Sequence, residues 1–290
     1  MNRRSFLLLV LLFVLSACAP SAPKIVPTAT NPFDAKVDVD GYDLHIVCTG
    51  EGIPTVIVEA GFGEPAIEST SWVTVKNEIA KTTRICVYDR AGLGSSDVAP
   101  GKNRTSKDIA KDLHTLLVKT GVPGPYILVG HSLGGYHVLV FADRYPKEVA
   151  GMVLVDSSHA DQWSEVNAVL PPESPDEADT IKHLRTVPPA SLPEKLDVLK
   201  SAKQVRAVKS LGDLPLVVLT HSPTQQNLYP DVAPELAEKL EQMWQKLQDN
   251  LASLSSNSTH VIATTAGHSI QVDEPQLVID AILKVIEETK

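Results

Sequence analysis

The chain has 290 residues, of which 43% are hydrophobic, 21% charged and 5% aromatic. That balance excludes a disordered polymer, a multi-span membrane protein and a small disulfide-stapled scaffold. The formal net charge is −9 and no basic block occurs. A nucleic-acid partner is not expected, because phosphate binding needs a clustered positive footprint.

The N-terminus is a separate object. Arg3 and Arg4 precede an unbroken apolar run from Phe6 to Leu15. Ten such residues rise only about 15 Å as a helix, too short for a hydrocarbon core of ~30 Å. The pattern is that of an export signal. Leu15-Ser16-Ala17-Cys18 resembles the lipobox of bacterial lipoprotein signals. That resemblance implies cleavage before Cys18 and lipidation of Cys18, with more than one acyl chain making a stable anchor. Residues 1–17 are then the signal peptide. Residues 18–33 follow as a tether, since Pro20, Pro23, Pro27 and Pro32 disfavour helix and sheet. Residues 34–290 form the folded domain. The expected location is a bacterial cell surface or periplasmic membrane face.

Within the domain, short apolar runs rich in Val and Ile predict strands at Leu44–Val47, Thr55–Val58, Ile85–Tyr88, Tyr126–Val129, Met152–Val155, Leu216–Leu219 and Val261–Ala263. Helical stretches lie between most of them: Trp72–Ala80, Ser106–Lys119 behind a Thr105/Asp108 capping pattern, Gly135–Tyr145, Pro234–Leu254 and Glu274–Glu287. Nearly continuous apolar strands separated by helices define an α/β fold, with a mostly parallel sheet covered on both faces.

One motif points to chemistry. The strand over 125–130 runs into Gly130-His131-Ser132-Leu133-Gly134-Gly135, a G-x-S-x-G between a strand and a helix. A sharp turn there strains the serine backbone, and the space beside it tolerates no side chain at 130 or 134. The turn lifts the Ser132 hydroxyl to the end of the sheet, beside a helix N-terminus that favours negative charge.

Further motifs extend the pattern. Tyr88-Asp89-Arg90-Ala91-Gly92-Leu93-Gly94-Ser95-Ser96 is similar to the strand-four loop of α/β-hydrolases. Glu59-Ala60-Gly61-Phe62-Gly63 stands at their oxyanion-loop position, and Ala266-Gly267-His268 at that of their catalytic histidine. Over roughly residues 38–287 the chain therefore resembles an α/β-hydrolase. The resemblance implies Ser132 as nucleophile, His268 as its base, and the Phe62 and Leu133 amides as oxyanion donors. Ala60 stands where many relatives have histidine, which alters how that loop is braced. Among the other histidines, His131 belongs to the turn and points elsewhere. His114 and His183 are expected to face solvent, and His159 and His221 follow strand ends that border the pocket.

The acid is less determined. Many relatives carry it after strand seven, but His221-Ser222-Pro223-Thr224-Gln225-Gln226 offers no carboxylate before Asp231. The other family solution, at the end of strand six, falls on Asp156. Asp161, Asp231 and a Ser–His dyad without an acid remain as alternatives. The segment from Ser157 to about Asp213 is expected to form a small cap between strands six and seven, with helices over 177–185 and 193–211. Its Trp163, Val166, Val169 and Leu170 either line a pocket or pack the cap.

Cys48 ends strand two and Cys86 begins strand four, which in the family are antiparallel neighbours. The resemblance therefore implies a Cys48–Cys86 disulfide, with two separate thiols as the alternative. No metal site and no cofactor are expected, since neither cysteine stands in C-x-x-C spacing. The resulting expectation is a serine hydrolase acting on a small-molecule carboxylic ester through an acyl-serine, held at a membrane by its lipid. Amide, lactone or thioester hydrolysis and acyl transfer are alternatives on the same machinery. A non-catalytic binding lipoprotein is another, supported by the missing carboxylate after strand seven. Epoxide hydrolase and haloalkane dehalogenase chemistry is disfavoured, because those relatives use an aspartate where this chain has Ser132.

Overall fold

The computed structural model of the chain describes residues 32–101, 103–188, 190, 193–224 and 229–290. The signal segment, Cys18 and most of the tether lie outside the described residues. Eight strands form one sheet: β1 (Phe33–Asp38), β2 (Asp43–Thr49), β3 (Thr55–Glu59), β4 (Ile85–Tyr88), β5 (Tyr126–His131), β6 (Val149–Val155), β7 (Leu216–Thr220) and β8 (Ser258–Ile262). Their spatial order is β1-β2-β4-β3-β5-β6-β7-β8. The β1–β2 and β2–β4 pairs are antiparallel, and every pair from β4–β3 onward is parallel.

The Val- and Ile-rich strands β3, β4, β5 and β7 are buried along their whole length. Both faces therefore need cover, and helices supply it. On β5 the side chains alternate as the pleat requires. Leu128 joins a cluster with Leu113 and Leu116 of α2 (Ser106–Thr120) and with Val138 and Phe141 of α3 (Gly134–Arg144). Ile127 and Val129 face the opposite cluster, with Ile79 of α1 (Val73–Ile79) and, near the C-terminus, Val278, Ile282 and Val285. Each such aliphatic side chain contributes about 1.5–3 kcal/mol on burial. At the start of α2, the Thr105 N–H donates to Asp108 Oδ2 at 2.8 Å, and the capping box forms as the spacing predicts.

Departures from the sequence expectations have local causes. Strand β1 was not expected, because Phe33-Asp34-Ala35-Lys36-Val37-Asp38 contains no apolar run. Its signal is Asp40-Gly41, both at positive φ, which close the β1–β2 hairpin. Strand β8 begins at Ser258, three residues before the expected start, since this edge strand opens with polar Ser258-Thr259-His260.

The insertion after β6 carries α4 (Gln162–Val169), α5 (Asp179–Arg185) and α6 (Val198–Val205), so the helix expected over 193–211 is much shorter. Its Ala202 and Val205 join the core cluster of α2 and α3, so α6 packs on the body rather than over the site. What covers the site instead is α4 and α5 against α7 (Pro234–Ala252). Val166, Leu170 and Ile181 meet Leu240, Met243 and Leu247 in a third apolar cluster. Two C-terminal helices complete the fold, α8 (Ile270–Asp273) and α9 (Pro275–Glu288). Cys48 and Cys86 face each other in the β2–β4 register and are joined by a disulfide.

Candidate active site

Ser132 sits at the turn from β5 into α3 with φ +51°. Such a left-handed conformation costs a non-glycine residue about 1–3 kcal/mol and persists only where its surroundings impose it. Here they do. A Cβ at Gly134 would lie 2.3 Å from the Glu59 carbonyl oxygen, and one at Gly130 would lie 2.7 Å from Val138 Cγ2. The turn is thus pressed between β3 and its own helix. The α3 N-terminus opens beside the serine hydroxyl.

The Ser132 hydroxyl lies 2.9 Å from His268 Nε2. His268 stands on the loop after β8, and three contacts hold that loop. Ala266 N–H donates to Glu274 Oε1 at 2.8 Å, Gly267 N–H to Asp273 Oδ2 at 2.9 Å, and His131 Nε2 to the His268 carbonyl at 3.0 Å. His131 therefore points away from the serine, as expected, and steadies the loop of the other histidine.

On its other side, His268 Nδ1 lies 2.6 Å from Asp156 Oδ2. A carboxylate can only accept, so the proton of His268 resides on Nδ1 and its Nε2 lone pair faces Ser132. Asp156 ends β6 with φ +40° and is fully buried. Asp161 and Asp231 are elsewhere: Asp161 accepts from Arg206 Nε at 2.7 Å, and Asp231 from the Thr180 N–H at 3.2 Å.

Three groups besides the His268 ring converge on Asp156. Trp244 Nε1 donates to Oδ1 at 2.9 Å, and the His221 main-chain N–H does so at 3.2 Å. His221 Nδ1 lies 2.9 Å from both carboxylate oxygens. Burial alone would raise the Asp156 pKa. The hydrogen bonds and charge of His221 and His268 outweigh it and hold the carboxyl well below the usual range. His221 was expected to border the pocket. Instead it is buried behind Asp156, with its Nε2 2.9 Å from Glu241 Oε2. Burial would lower its pKa, but two carboxylate partners push it up to about 10. Glu241 and Trp244 went unread in the sequence. Their one signal is an acid on the apolar stripe of α7, between Leu240 and Leu247.

The oxyanion loop follows β3. Gly61 touches the elbow, since a Cβ there would lie 3.5 Å from Ser132 Cβ. Arg90, only 3% exposed, braces this loop. Its Nη1 donates to the Ala60 carbonyl at 2.7 Å and its Nη2 to the Gly61 carbonyl at 2.6 Å. In a planar trans peptide the N–H opposes the C=O, so holding the Gly61 carbonyl turns the Phe62 N–H to the other side. Arg90 is neutralised by Glu59 and by Glu194, whose Oε1 also accepts from the Gly63 N–H at 2.7 Å.

Phe62, Leu133, Ser132 and His268 line one cavity of about 250 Å³, with Trp163, Val166, Leu240, Met243 and Trp244 as its apolar wall. His183 is exposed, as expected, and also borders this cavity. Among the described residues, no carboxylate, lysine or arginine lines it. A larger groove of about 1010 Å³ runs along α7 past Glu241 and Tyr229, but includes neither Ser132 nor His268. Size alone does not make it the reactive site.

A hydroxyl, an imidazole and a buried carboxylate in hydrogen-bonded series, beside backbone amides at a helix N-terminus, on this sheet order, define the α/β-hydrolase class. The sequence profile of the alpha/beta hydrolase fold matches residues 54–242. The chain is 33% identical over 250 residues to the uncharacterized protein YqjL of Bacillus subtilis strain 168, covering 85% of this chain and 89% of that protein. It is 25% identical over 285 residues to an AB hydrolase superfamily protein of Gibberella zeae, covering 81% and 86% of the two. Among solved structures, it is similar in fold to a thermophilic esterase from Thermogutta terrifontis (TM-score 0.59, 23% identity, 89% of this chain and 99% of that one). It is also similar to mouse alpha/beta hydrolase domain-containing protein 10 (TM-score 0.63, 19% identity, 89% and 100%). The chain belongs to the α/β-hydrolase family, and that membership points to a hydrolase.

Proposed function

We propose that this protein is a serine hydrolase of small, uncharged carboxylic esters. The observation that carries the reading is the unbroken series from Ser132 Oγ through His268 to Asp156, at 2.9 and 2.6 Å. In this reading Ser132 attacks the ester carbonyl while His268 Nε2 takes its proton, and Asp156 stabilises the imidazolium that forms. The Phe62 and Leu133 amides receive the developing oxyanion. His268 then protonates the leaving alcohol, and water, deprotonated by the same nitrogen, releases the acid from the acyl-serine.

The cavity supports a substrate class. Its small volume suits short acyl chains, and its wall of Trp, Met, Leu and Val, with no carboxylate, lysine or arginine among the described lining residues, suits an uncharged substrate. Lactones and thioesters of similar size present the same carbonyl and are the second reading. The lipobox-like Leu15-Ser16-Ala17-Cys18 supports a further part of the proposal: export and anchoring through lipidated Cys18.

The test compares the chain from residue 21 onward with its Ser132→Ala variant on nitrophenyl esters from acetate to palmitate. Activity is expected to peak at short chains and to fall by about 10³-fold or more in the variant. A fluorophosphonate should label only the wild type. Equal rates in both folded proteins, with no label, would replace this reading with a binding lipoprotein. Cys18→Ala in the full chain is expected to abolish fatty-acid labelling in cells.

A further inference from the structure

The position after β7, where many relatives carry the acid, holds His221 here, and its partners are unusual. Both ring nitrogens face carboxylates: Nδ1 faces Asp156 at 2.9 Å and Nε2 faces Glu241 at 2.9 Å. Ionised carboxylates only accept, so both nitrogens must donate. We propose that His221 is a positioning residue of this site: held as an imidazolium between Asp156 and Glu241, it locks the Asp156 carboxylate and sets the charge that His268 senses. The inference rests on the hydrolase reading above.

The locking argument is one of valence. With its Oδ1 engaged by Trp244 Nε1 and the His221 main-chain N–H, and both oxygens 2.9 Å from the His221 ring, Asp156 presents Oδ2 to His268. Without the ring, which spans both oxygens, the carboxylate is held only through Oδ1 on that side and is freer to rotate about χ2.

The charge argument is one of sums. Asp156 and Glu241 carry two negative charges and His221 one positive, so the buried trio presents a single negative charge to His268. Around His221, the facing groups are Asp156 from β6, Glu241 from α7 and the Gln245 amide, which approaches its carbonyl at 3.5 Å. The Trp244 ring stacks at 6.0 Å, and the Tyr229 hydroxyl stays protonated, pushed up by burial and by both acids. Glu241 is therefore the group that balances the imidazolium, and the pair acts as a unit.

Opposite substitutions separate this role from simple packing. His221→Gln retains a donor to Asp156 but leaves two negative charges, which strengthens the base. Glu241→Gln leaves the trio neutral, which weakens it. The acidic limb of kcat/KM on a short nitrophenyl ester should move up by about one pH unit in the first and down in the second, as unit charges several ångströms away require. In both, kcat should fall about tenfold with KM nearly unchanged, the scale of one lost charge-assisted hydrogen bond.

A second readout needs no substrate. Nitrogen-15 spectra of histidine-labelled wild type should show one doubly protonated ring persisting above pH 8, and His221→Gln should lack it. Limbs that coincide with wild type, limbs that move in the same direction, or a His221 ring found neutral at pH 7 would each overturn the proposal. A wild type with no ester turnover and no label on Ser132 would overturn the hydrolase reading instead, while the nitrogen shifts still report the state of His221.

Discussion

Arg90 Nη2 and the Gly61 carbonyl are joined at 2.6 Å, and this bond orients the peptide whose N–H is the proposed oxyanion donor. The guanidinium is spread over two carbonyls and two carboxylates, a fork that only arginine can present. The brace reaches the oxyanion loop from the β4 end and is anchored to Glu194 in the insertion after β6. Loop, sheet and insertion are thereby tied at one buried cation.

That arrangement makes Arg90 separable from the reacting groups by mutation. Arg90→Met strands Glu59 and Glu194 and should cost about 3–5 kcal/mol of stability. Arg90→Lys keeps the charge but not the fork. It is expected to remain folded while kcat falls about tenfold or more, the order of a misaligned oxyanion donor. Denaturant melts beside ester kinetics check both, and a Lys variant with wild-type kcat would remove Arg90 from the bracing role.

Asp156→Asn should lower kcat by about 10⁴-fold, because the amide can no longer fix the His268 tautomer. Fluorophosphonate labelling of Ser132 should slow in parallel. Asp161→Asn serves as the control and is expected to leave turnover intact, since Asp161 pairs with Arg206. A loss below tenfold in the Asp156 variant would place the acid elsewhere.

Stability should depend on pH through His221. Its pKa in the fold is raised to about 10 from 6.5, so its contribution is complete below pH 6.5 and lost as pH rises toward 10. The Tm gap between wild type and His221→Gln should therefore be widest near pH 6 and narrow steadily up to pH 10. A gap independent of pH would show that the ring only packs.

The Cys48–Cys86 bridge closes a span of 38 residues. Removing such a loop constraint from the unfolded chain costs about 4 kcal/mol of stability. In the chain from residue 21 onward, which lacks Cys18, alkylation without reductant should leave the intact mass unchanged, and reduction should lower the denaturation midpoint by a matching amount. Two alkylated thiols before reduction would exclude the bridge.

Several features are legible in the chain because they are local. Gly130-x-Ser132-x-Gly134 reads as a tight turn, since the steric demand of that turn falls on three residues within five positions. The alternation of Val- and Ile-rich strands with helices reads as a covered parallel sheet, since burial on both faces removes polar alternation. The β1 strand escaped because an edge hairpin buries too little to write an apolar run.

The proposed acid, the Arg90 brace and the groups behind that acid are not local. Asp156 and His268 are 112 residues apart, Arg90 and Glu194 are 104 apart, and His221 lies 65 residues from Asp156. The strand-six position alone could not separate Asp156 from Asp161 or Asp231. What separates them is the β6–β7–β8 register, which carries Asp156 under the His268 loop and leaves Asp161 in the insertion after β6 and Asp231 in the segment between β7 and α7. Glu241 is more hidden still. On a helix it reads as one more charged residue, and only the packing of α7 against β7 turns it inward onto a histidine. By itself the sequence determined which residue types recur at which local spacing, because backbone sterics and burial act over a few residues. Only the tertiary structure decided which charges meet, because pairing across the sheet is set by strand order and register.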